Sequence, residues 1–213
     1  MRILLATFNP GKLIELRELV DFHAARQQPP LALELVAPAE LGMHEPVAET
    51  GATYAENARI KAVNYARLAG LTALGDDSGL EVDALDGAPG LHSARYAGHG
   101  ASDADRRARL LAALAGVPTE RRSARFRCVI ALATPAGDVQ FAEGTVEGRI
   151  AEAPAGTGGF GYDPVFYLPE FGCTMAQLPE GVKNTISHRA RAVEHAVPLL
   201  AQLAAEEDED VKA

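Results

Sequence analysis

Two adjacent acids stand directly after a short apolar run near the middle of the chain. Leu71 to Leu74 is typical of a buried strand, and Gly75-Asp76-Asp77-Ser78-Gly79 follows it. Acids after an apolar strand often mark a ligand site in α/β proteins, because strand ends open onto a solvent-facing crevice. Two ionised neighbours repel each other, so a cation, a basic neighbour or solvent should accompany them. A solvated turn explains Asp, Ser and Gly equally well, and this segment alone favours neither interpretation.

A similar succession of strand, polar loop and helix stands at the N-terminus. Arg2 to Ala6 predicts a buried strand, and an amphipathic helix follows the loop Thr7-Phe8-Asn9-Pro10-Gly11-Lys12. Free backbone N–H groups and the positive end of the helix dipole make such a loop an anion cradle, to which Lys12 adds a cation. The loop lacks the spacing of dinucleotide-binding and Walker motifs. Taken alone, it is more simply explained as a routine turn formed by Asn, Pro and Gly.

Alternating strand and helix signals continue along the chain. Thr53 opens a capping box whose helix ends at Gly70, and Ser102 opens a second capping box. Ala124 to Ala133 and Val139 to Ile150 predict a long antiparallel hairpin. Because these strands run against the earlier strand–helix units, we predict an α/β fold with a mixed central β-sheet and flanking helices.

Two further segments carry residues suited to binding. Pro154 to Pro164 contains four glycines and two aromatic residues. Glycines let a backbone approach a ligand and aromatic rings stack on a flat ring, although a hinge whose rings pack on the core has the same composition. His188 and Arg189 lie in the first turn of a helix capped by Ser187. Cations there oppose the helix dipole, so an anionic or carbonyl-bearing partner explains them better than helix stability does.

Composition excludes several classes of protein. The chain has 213 residues, 47% of them hydrophobic and 23% charged, which is typical of a soluble globular protein. The net charge of −9 owes much to the acidic run Glu206 to Asp210, and no basic stripe for duplex nucleic acid is present. Two unpatterned cysteines and the short N-terminal apolar run predict a cytoplasmic protein without a membrane span.

Six segments occur in one order from Ile3 to Leu200 and together resemble the inosine/xanthosine triphosphate pyrophosphatase family. They are Thr7 to Lys12; Glu49-Thr50-Gly51 with Glu56-Asn57-Ala58; Asp76-Asp77-Ser78-Gly79; Pro89-Gly90 with Ser93-Ala94-Arg95-Tyr96; Gly158 to Pro164; and Ser187-His188-Arg189. No single segment is specific, but six in register are.

The resemblance implies a Mg²⁺-dependent hydrolase. Such an enzyme would cut ITP, dITP or XTP between the α- and β-phosphates, release the monophosphate and pyrophosphate, and cleanse the nucleotide pool as a homodimer. The implied α/β fold has two lobes around a substrate cleft. We expect a single pyrophosphatase domain over residues 1–204 and an acidic, disordered tail over residues 205–213.

The resemblance also implies roles for individual residues. Asp77 would be the catalytic proton acceptor and a magnesium ligand. The substrate contacts would be Thr7, Phe8, Asn9, Pro10, Gly11 and Lys12 for the triphosphate; Ser78; Phe160, Gly161, Tyr162 and Asp163 for the purine and sugar, with Phe160 as a stacking ring; Lys183 for a phosphate or another part of the substrate; and His188 and Arg189 for the base.

One departure from the family pattern affects the metal site. Many bacterial members have two acids before the Thr-Gly pair, where this chain has Ala48-Glu49. Glu49 or Glu56 would then serve as the second carboxylate, or the metal would rest on Asp77 and substrate oxygens.

Two other functions stay open from the sequence. One is a broader nucleoside triphosphate pyrophosphatase that acts on other modified nucleotides. The other is a nucleotide-binding regulator without turnover. A carboxylate at Asp77 argues against pure binding, because it would repel the phosphates beside it.

Overall fold

A computed structural model describes residues 1–210, except for the side chains of residues 208–210. Its main elements, in chain order, are β1 Arg2–Leu5, α1 Pro10–Ala24, β2 Glu34–Val36, α2 Tyr54–Ala69, β3 Thr72–Val82, α3 Asp103–Ala113, β4 Ser123–Ala133, β5 Val139–Ile150, β6 Phe166–Leu168, β7 Cys173–Thr174, α4 Glu180–Ile186 and α5 His188–Asp210.

The strands of the described residues form one sheet in the order β2-β1-β3-β4-β5-β6-β7. Strand β1 is parallel to both β2 and β3, whereas β6 is antiparallel to both β5 and β7. The neighbours β4 and β5 are joined by a short turn, in which the Gly137 N–H donates to the Thr134 carbonyl at 3.0 Å. The sheet is therefore mixed, and the predicted α/β class and hairpin are confirmed.

The chain groups into two compact units. Unit 1 contains Met1–Asp77, Cys128–Gly144 and the described residues from Arg189 onward, and unit 2 contains Ser78–Arg127 and Thr145–His188. The core of unit 1 joins apolar residues of β1, β3 and β4 to those of α1 and α5. The core of unit 2 is built from β3, α3, β4, β5 and the segment from Tyr162 to Met175. The boundary falls inside β3, between Asp77 and Ser78.

Strand β3 corrects one local prediction. A solvated turn and a ligand site at the strand end both require the strand to stop near Leu74, but β3 runs without interruption from Thr72 to Val82. Asp, Ser and Gly favour turns when solvent must satisfy them. Here the acids have charged side-chain partners, and the apolar residues Leu80 and Val82 are fully buried further along the strand.

The predicted helix ends are confirmed in atomic detail. The Thr53 hydroxyl accepts the Glu56 N–H at 3.1 Å, and Glu56 returns bonds to the N–H groups before the helix. Gly70 ends α2 with φ of 63°, a conformation that glycine adopts without a steric penalty. Ser102 caps α3 in the same way with Asp105.

Helix α5 differs from the prediction for the C-terminus. It continues through the acidic run to Asp210, where the sequence predicts a disordered tail from residue 205 onward. The run follows Leu203, Ala204 and Ala205, and alanine, leucine and glutamate all favour helix. Residues 211–213 of the predicted tail lie outside the described residues. Among the described helices, none combines the length and hydrophobicity needed to cross a membrane.

Glycine at position 75 lets α2 pack directly against β3. A Cβ atom there would lie 2.5 Å from the Ala58 carbonyl oxygen and 2.8 Å from the Ala62 nitrogen. Both are backbone atoms of a helix, so they cannot rotate away. We expect Gly75→Ala to lower the free energy of unfolding by about 2–3 kcal/mol, because overpacking forces the backbone to move.

Urea denaturation monitored by circular dichroism measures this loss. The matched control is Gly181→Ala in α4, where an added Cβ meets nothing within 4 Å and alanine improves helix propensity. Equal stability of Gly75→Ala and the parent protein would contradict the proposed contact.

Candidate active site

The two acids of β3 point to opposite faces of the sheet, because successive side chains alternate along a strand. Leu74 belongs to the core that α1 and α5 share, so Asp76, two residues further on, lies on the same face. Gly75 lies against α2, and Asp77 therefore also faces α2. The adjacent carboxylates thus have separate sets of partners.

Asp76 is the centre of a buried ionic cluster. Its Oδ2 lies 3.0 Å from the Lys12 Nζ of α1 and 3.2 Å from the Arg189 Nη2 of α5. Arg189 also donates to Glu15 of α1 through its Nη1. Burial alone would raise the pKa of Asp76, but the charges of Lys12 and Arg189 outweigh it and hold this pKa well below its usual range. Asp76 is therefore permanently ionised at neutral pH.

The negative charge of Asp77 is compensated less fully than that of Asp76. Its Oδ2 accepts a hydrogen bond from the Asn57 Nδ2 at 3.0 Å, and its Oδ1 lies 3.6 Å from the Lys61 Nζ. Burial raises the pKa of Asp77, the charge of Glu49 raises it further, and Lys61 and Lys12 oppose that rise only in part. A carboxylate with a raised pKa is better suited to accept a proton than one that is held ionised.

Lys61 connects Asp77 to a second carboxylate. Its Nζ lies 2.6 Å from the Glu49 Oε1. Burial alone would lower the pKa of Lys61, but the charges of Asp76, Asp77 and Glu49 raise it. The lysine is therefore a buried cation that the two carboxylates share.

The structure distinguishes the two candidates for the missing acid. Glu49 lies beside Lys61 with Asp77, whereas the Glu56 Oε2 accepts the N–H groups of Ala52 at 2.6 Å and Thr53 at 3.2 Å. Glu56 is thus used in capping α2. The position of Glu49 beside Lys61 therefore favours Glu49 as the second carboxylate of the site.

The donor set fits a magnesium ion that also takes ligands from a substrate. Mg²⁺ is bound in enzymes by one or two carboxylates together with substrate phosphates and water. Glu49 and Asp77 supply two carboxylates, which both contact the Lys61 ammonium. Among the described residues, no cluster of three His, Cys, Asp or Glu side chains forms a complete metal site.

The predicted phosphate cradle is formed by the N-terminus of α1. Asn9 caps this helix, with its Oδ1 accepting the Lys12 N–H at 3.1 Å, and Pro10 occupies its first turn. The Asn9 N–H donates to the Thr7 hydroxyl at 3.2 Å. Phe8 and Asn9 are exposed, and Gly11 is half-buried. The loop places its backbone at the helix end, and its role in holding phosphates stays a prediction.

The segment from Pro154 to Pro164, called the glycine-aromatic loop below, lies in unit 2 and contacts an ion pair. The Asp163 Oδ2 lies 2.9 Å from the Lys183 Nζ and accepts the Phe160 N–H at 3.0 Å. Gly159 has φ of 66°, and a Cβ there would collide with Asp163 and lie 2.9 Å from the Lys183 Nζ. Only glycine fits at this position. The Lys183 Nζ also lies 5.4 Å from the Phe160 ring centroid.

Contacts with α3 and with the core hold the same loop. The Gly161 N–H donates to the Asp103 Oδ2 at 2.8 Å, and the Gly161 carbonyl accepts from the Arg107 Nη1 at 2.7 Å. Tyr162 is buried, and its hydroxyl donates to the Ser93 carbonyl at 2.9 Å. The Tyr162 side chain is thus part of the core of unit 2. This geometry leaves Phe160, half-buried, as the ring that remains partly accessible.

The two residues predicted to contact the base are both buried. The His188 ring stacks on Phe126 in unit 2, with centroids 4.7 Å apart. The Arg189 guanidinium belongs to unit 1 and is bonded to Glu15 and Asp76. Ser78 follows Asp77 in β3 and is half-buried. Contacts of these three residues with a substrate stay predictions.

Sequence reasoning assigned no site role to five polar residues that the structure places in these networks. They are Glu15, Asn57, Lys61, Asp103 and Arg107. A signal existed for Asn57 and Lys61. They stand four residues apart on the α2 face that also buries Ala58, Ala62 and Tyr65, and a polar pair within an apolar stripe indicates a buried role.

The chain matches the Ham1 family model over residues 3–199. The chain belongs to the Ham1 family. Relatives include proteins named dITP/XTP pyrophosphatase from Desulforamulus reducens, 48% identical over 95% of this chain and 97% of that protein, and from Geobacillus kaustophilus, 50% identical over 90% of each. These matches confirm the family resemblance that the six segments indicate.

Solved Ham1 structures share the fold. A HAM1 protein from Coxiella burnetii matches with a TM-score of 0.82 and 42% identity, over 95% of this chain and 99% of that one. The Staphylococcus aureus Ham1 protein matches with a TM-score of 0.81 and 38% identity over the same shares. The Ham1 fold is therefore the fold of this chain.

The contrast between the two acids of β3 predicts losses of stability that differ in size. Asp76→Asn should lower the free energy of unfolding at pH 7 by about 3 kcal/mol, because it leaves the buried Arg189 with less countercharge. Asp77→Asn should cost less than about 1 kcal/mol, because an amide keeps the acceptor for Asn57 and removes a carboxylate whose ionised form the fold disfavours.

Urea denaturation over a range of pH measures both effects. The pKa of Asp76 is lower in the folded than in the unfolded chain, so its contribution is present above about pH 4 and is lost as the pH falls. The difference between the parent and Asp76→Asn should therefore shrink in acid. A constant difference, or equal losses for both variants at pH 7, would contradict this assignment.

Proposed function

We propose that this Ham1 protein is a metal-dependent pyrophosphatase for non-canonical purine nucleoside triphosphates. It hydrolyses ITP, dITP or XTP between the α- and β-phosphates and releases the monophosphate and pyrophosphate. The observation that carries the proposal is the pairing of Asp77 and Glu49 through Lys61. A third acid, Asp76, precedes Asp77 in β3 and is held ionised by Lys12 and Arg189. The names of the relatives support the substrate class.

The negative charge of the triphosphate must be neutralised before water can attack, and three lysines are suited to this. The Lys12 ammonium and the positive end of the α1 dipole supply positive potential for the phosphates. Asp76 keeps Lys12 charged and in place, at 3.0 Å. Lys61 adds a second buried cation. Lys183, in unit 2, is a further phosphate or substrate contact by the family pattern.

Asp77 then acts on the attacking water. The pKa of Asp77 is raised whereas that of Asp76 is lowered, so Asp77 accepts a proton more readily at neutral pH. Asn57 and Lys61 orient its two oxygens, so that the carboxylate presents a defined geometry to the water. Glu49 and Asp77 would hold Mg²⁺, which when bound neutralises phosphate charge and acidifies its bound water.

Base choice rests on hydrogen-bond donors. Hypoxanthine and xanthine carry a 6-oxo acceptor where adenine carries an amino donor, and a buried donor that meets a donor is costly. His188 and Arg189 are the proposed donors, and Phe160 is the proposed stacking ring. Guanine shares the 6-oxo group, so these residues by themselves do not discriminate against GTP.

We also propose that the protein is a cytoplasmic homodimer. The two cysteines show no disulfide or metal spacing, which is typical of a reducing compartment, and the homodimer follows from the family pattern. Residues 1–204 would form the catalytic domain.

A panel of triphosphates tests the proposal directly. Incubation with ITP, XTP, dITP, GTP and ATP in the presence of Mg²⁺ should release pyrophosphate with the highest kcat/KM for the first three. A profile that favours pyrimidine or other modified nucleotides would indicate the broader pyrophosphatase. Nucleotide binding without pyrophosphate release would indicate a regulator.

Asp77→Asn should abolish turnover of ITP while it preserves nucleotide binding. The substitution removes the proton acceptor but keeps the size and the hydrogen bond to Asn57, and loss of a general base typically costs about 10²–10⁴-fold in rate. Pyrophosphate release and isothermal titration with ITP measure the two properties. Asp83→Asn is the matched control, because Asp83 is an exposed acid just after the same strand. Turnover retained in Asp77→Asn would mean that another carboxylate is the acceptor.

A further inference from the structure

One buried amide joins the Asp77 carboxylate to the backbone segment that carries Glu49. Asn57 of α2 is only 3% exposed, and its side chain makes two hydrogen bonds. The Oδ1 accepts the Gly51 N–H at 2.8 Å, and the Nδ2 donates to the Asp77 Oδ2 at 3.0 Å. Gly51 lies two residues after Glu49, so a single side chain ties the segment that carries Glu49 to the carboxylate of Asp77.

We propose that Asn57 is a positioning residue that sets the separation of Glu49 and Asp77, and thereby the affinity of the site for a divalent cation. The inference rests on the proposed function, since it takes these two carboxylates as the metal ligands. Asn57 itself binds neither metal nor substrate. Its effect passes through the two groups that it holds.

The direction of the amide follows from its partners. The Gly51 N–H is a donor only, so the oxygen of Asn57 must face it, and the NH₂ group must face Asp77. That NH₂ group is a donor to a carboxylate, which suits an ionised Asp77. Neither aspartate nor leucine can make both bonds, because aspartate lacks the donor and leucine lacks both groups.

The segment that carries Glu49 is fixed to the start of α2 by several contacts, and the bond from Gly51 to Asn57 is one of them. A Cβ at Gly51 would lie 2.6 Å from the Glu56 Cβ and 2.8 Å from the Asn57 Oδ1, so the backbone rests directly on the first turn of α2. Glu56 binds the next two N–H groups, those of Ala52 and Thr53. Three consecutive N–H groups are thus tied to α2, and Asn57 holds the one closest to Glu49.

The environment of Asn57 argues against a purely structural purpose. Its neighbours on the buried face of α2 are Ala58, Ala62 and Tyr65, where an apolar side chain would avoid the cost of burying an amide. The same face carries Lys61, which contacts both Glu49 and Asp77. Partners that orient metal ligands typically contribute a factor of about 10–100 in metal affinity.

Two variants test this role with metal binding as the readout. Asn57→Leu keeps the branched shape and the number of side-chain heavy atoms and removes both bonds. Gly51→Ala keeps the side chains of Asn57, Glu49 and Asp77, but its Cβ would crowd the Asn57 Oδ1 and push the Glu49 segment away from α2. Mn²⁺ serves as the probe, titrated by electron paramagnetic resonance in the presence of a non-hydrolysable ITP analogue. We expect the Kd for Mn²⁺ to rise about tenfold in both variants, while the affinity for the analogue without metal stays within about twofold.

The matched control is Asn64→Leu. Asn64 lies on the same helix, is exposed, and donates only to the Ile60 carbonyl within α2, so its substitution should leave the Kd for Mn²⁺ unchanged. Thermal unfolding identifies any variant that does not fold, and if Asn57→Leu fails to fold, Gly51→Ala decides the question alone.

Several outcomes would overturn the inference. One is a Kd for Mn²⁺ within about twofold of the parent value in the folded variants. Another is an equal loss of metal-free affinity for the analogue, because that indicates general damage. Pyrophosphate release by the parent protein is measured separately. If the parent hydrolyses no triphosphate, the proposed function fails, while the Mn²⁺ titration still reports on Asn57.

Discussion

The alternation of side chains along β3 is the constraint on which the rest of the site depends. Two adjacent carboxylates on one surface would repel each other, but a strand sends them to opposite faces. Asp76 then lies among the cations of α1 and α5, and Asp77 lies among the amide and lysine of α2. The repulsion that makes the Asp-Asp pair unusual in sequence is thus reduced by geometry before any ligand arrives.

This separation produces a division of roles within one dipeptide. Both carboxylates are buried, and burial raises the pKa of each. Two cations in direct contact reverse that rise for Asp76, whereas Asp77 faces Glu49 as well as Lys61 and keeps a raised pKa. The difference comes from the helices on each side of the strand. A fixed anion that anchors Lys12 and Arg189 and an adaptable carboxylate beside the proposed water therefore coexist at consecutive positions.

Much of the fold could be predicted from the sequence because its signals are local. The capping boxes at Thr53 and Ser102, the terminal Gly70 and the hairpin of β4 and β5 each depend on a few neighbouring residues. The course of β3 could not be predicted in this way, since Asp, Ser and Gly favour a turn until distant cations make a strand tolerable. The site shows the same limit. The six segments marked Asp77 and Lys12, but the contacts of Lys61, Asn57 and Glu15 depend on how helices are packed, and the burial of Tyr162 and Arg189 depends on the cores around them.

Gly75 aligns the residues of the candidate active site without belonging to it. The backbone of α2 packs directly against Gly75. Because only a residue without a side chain fits there, this contact fixes the position of the helix along the strand. A shift of α2 by a single residue along its axis would carry Asn57 and Lys61 about 1.5 Å past Asp77. Hydrogen bonds tolerate only a few tenths of an ångström of such a slip. The positions of Asn57 and Lys61 relative to Asp77 are therefore set by steric contact at a residue that has no reactive side chain.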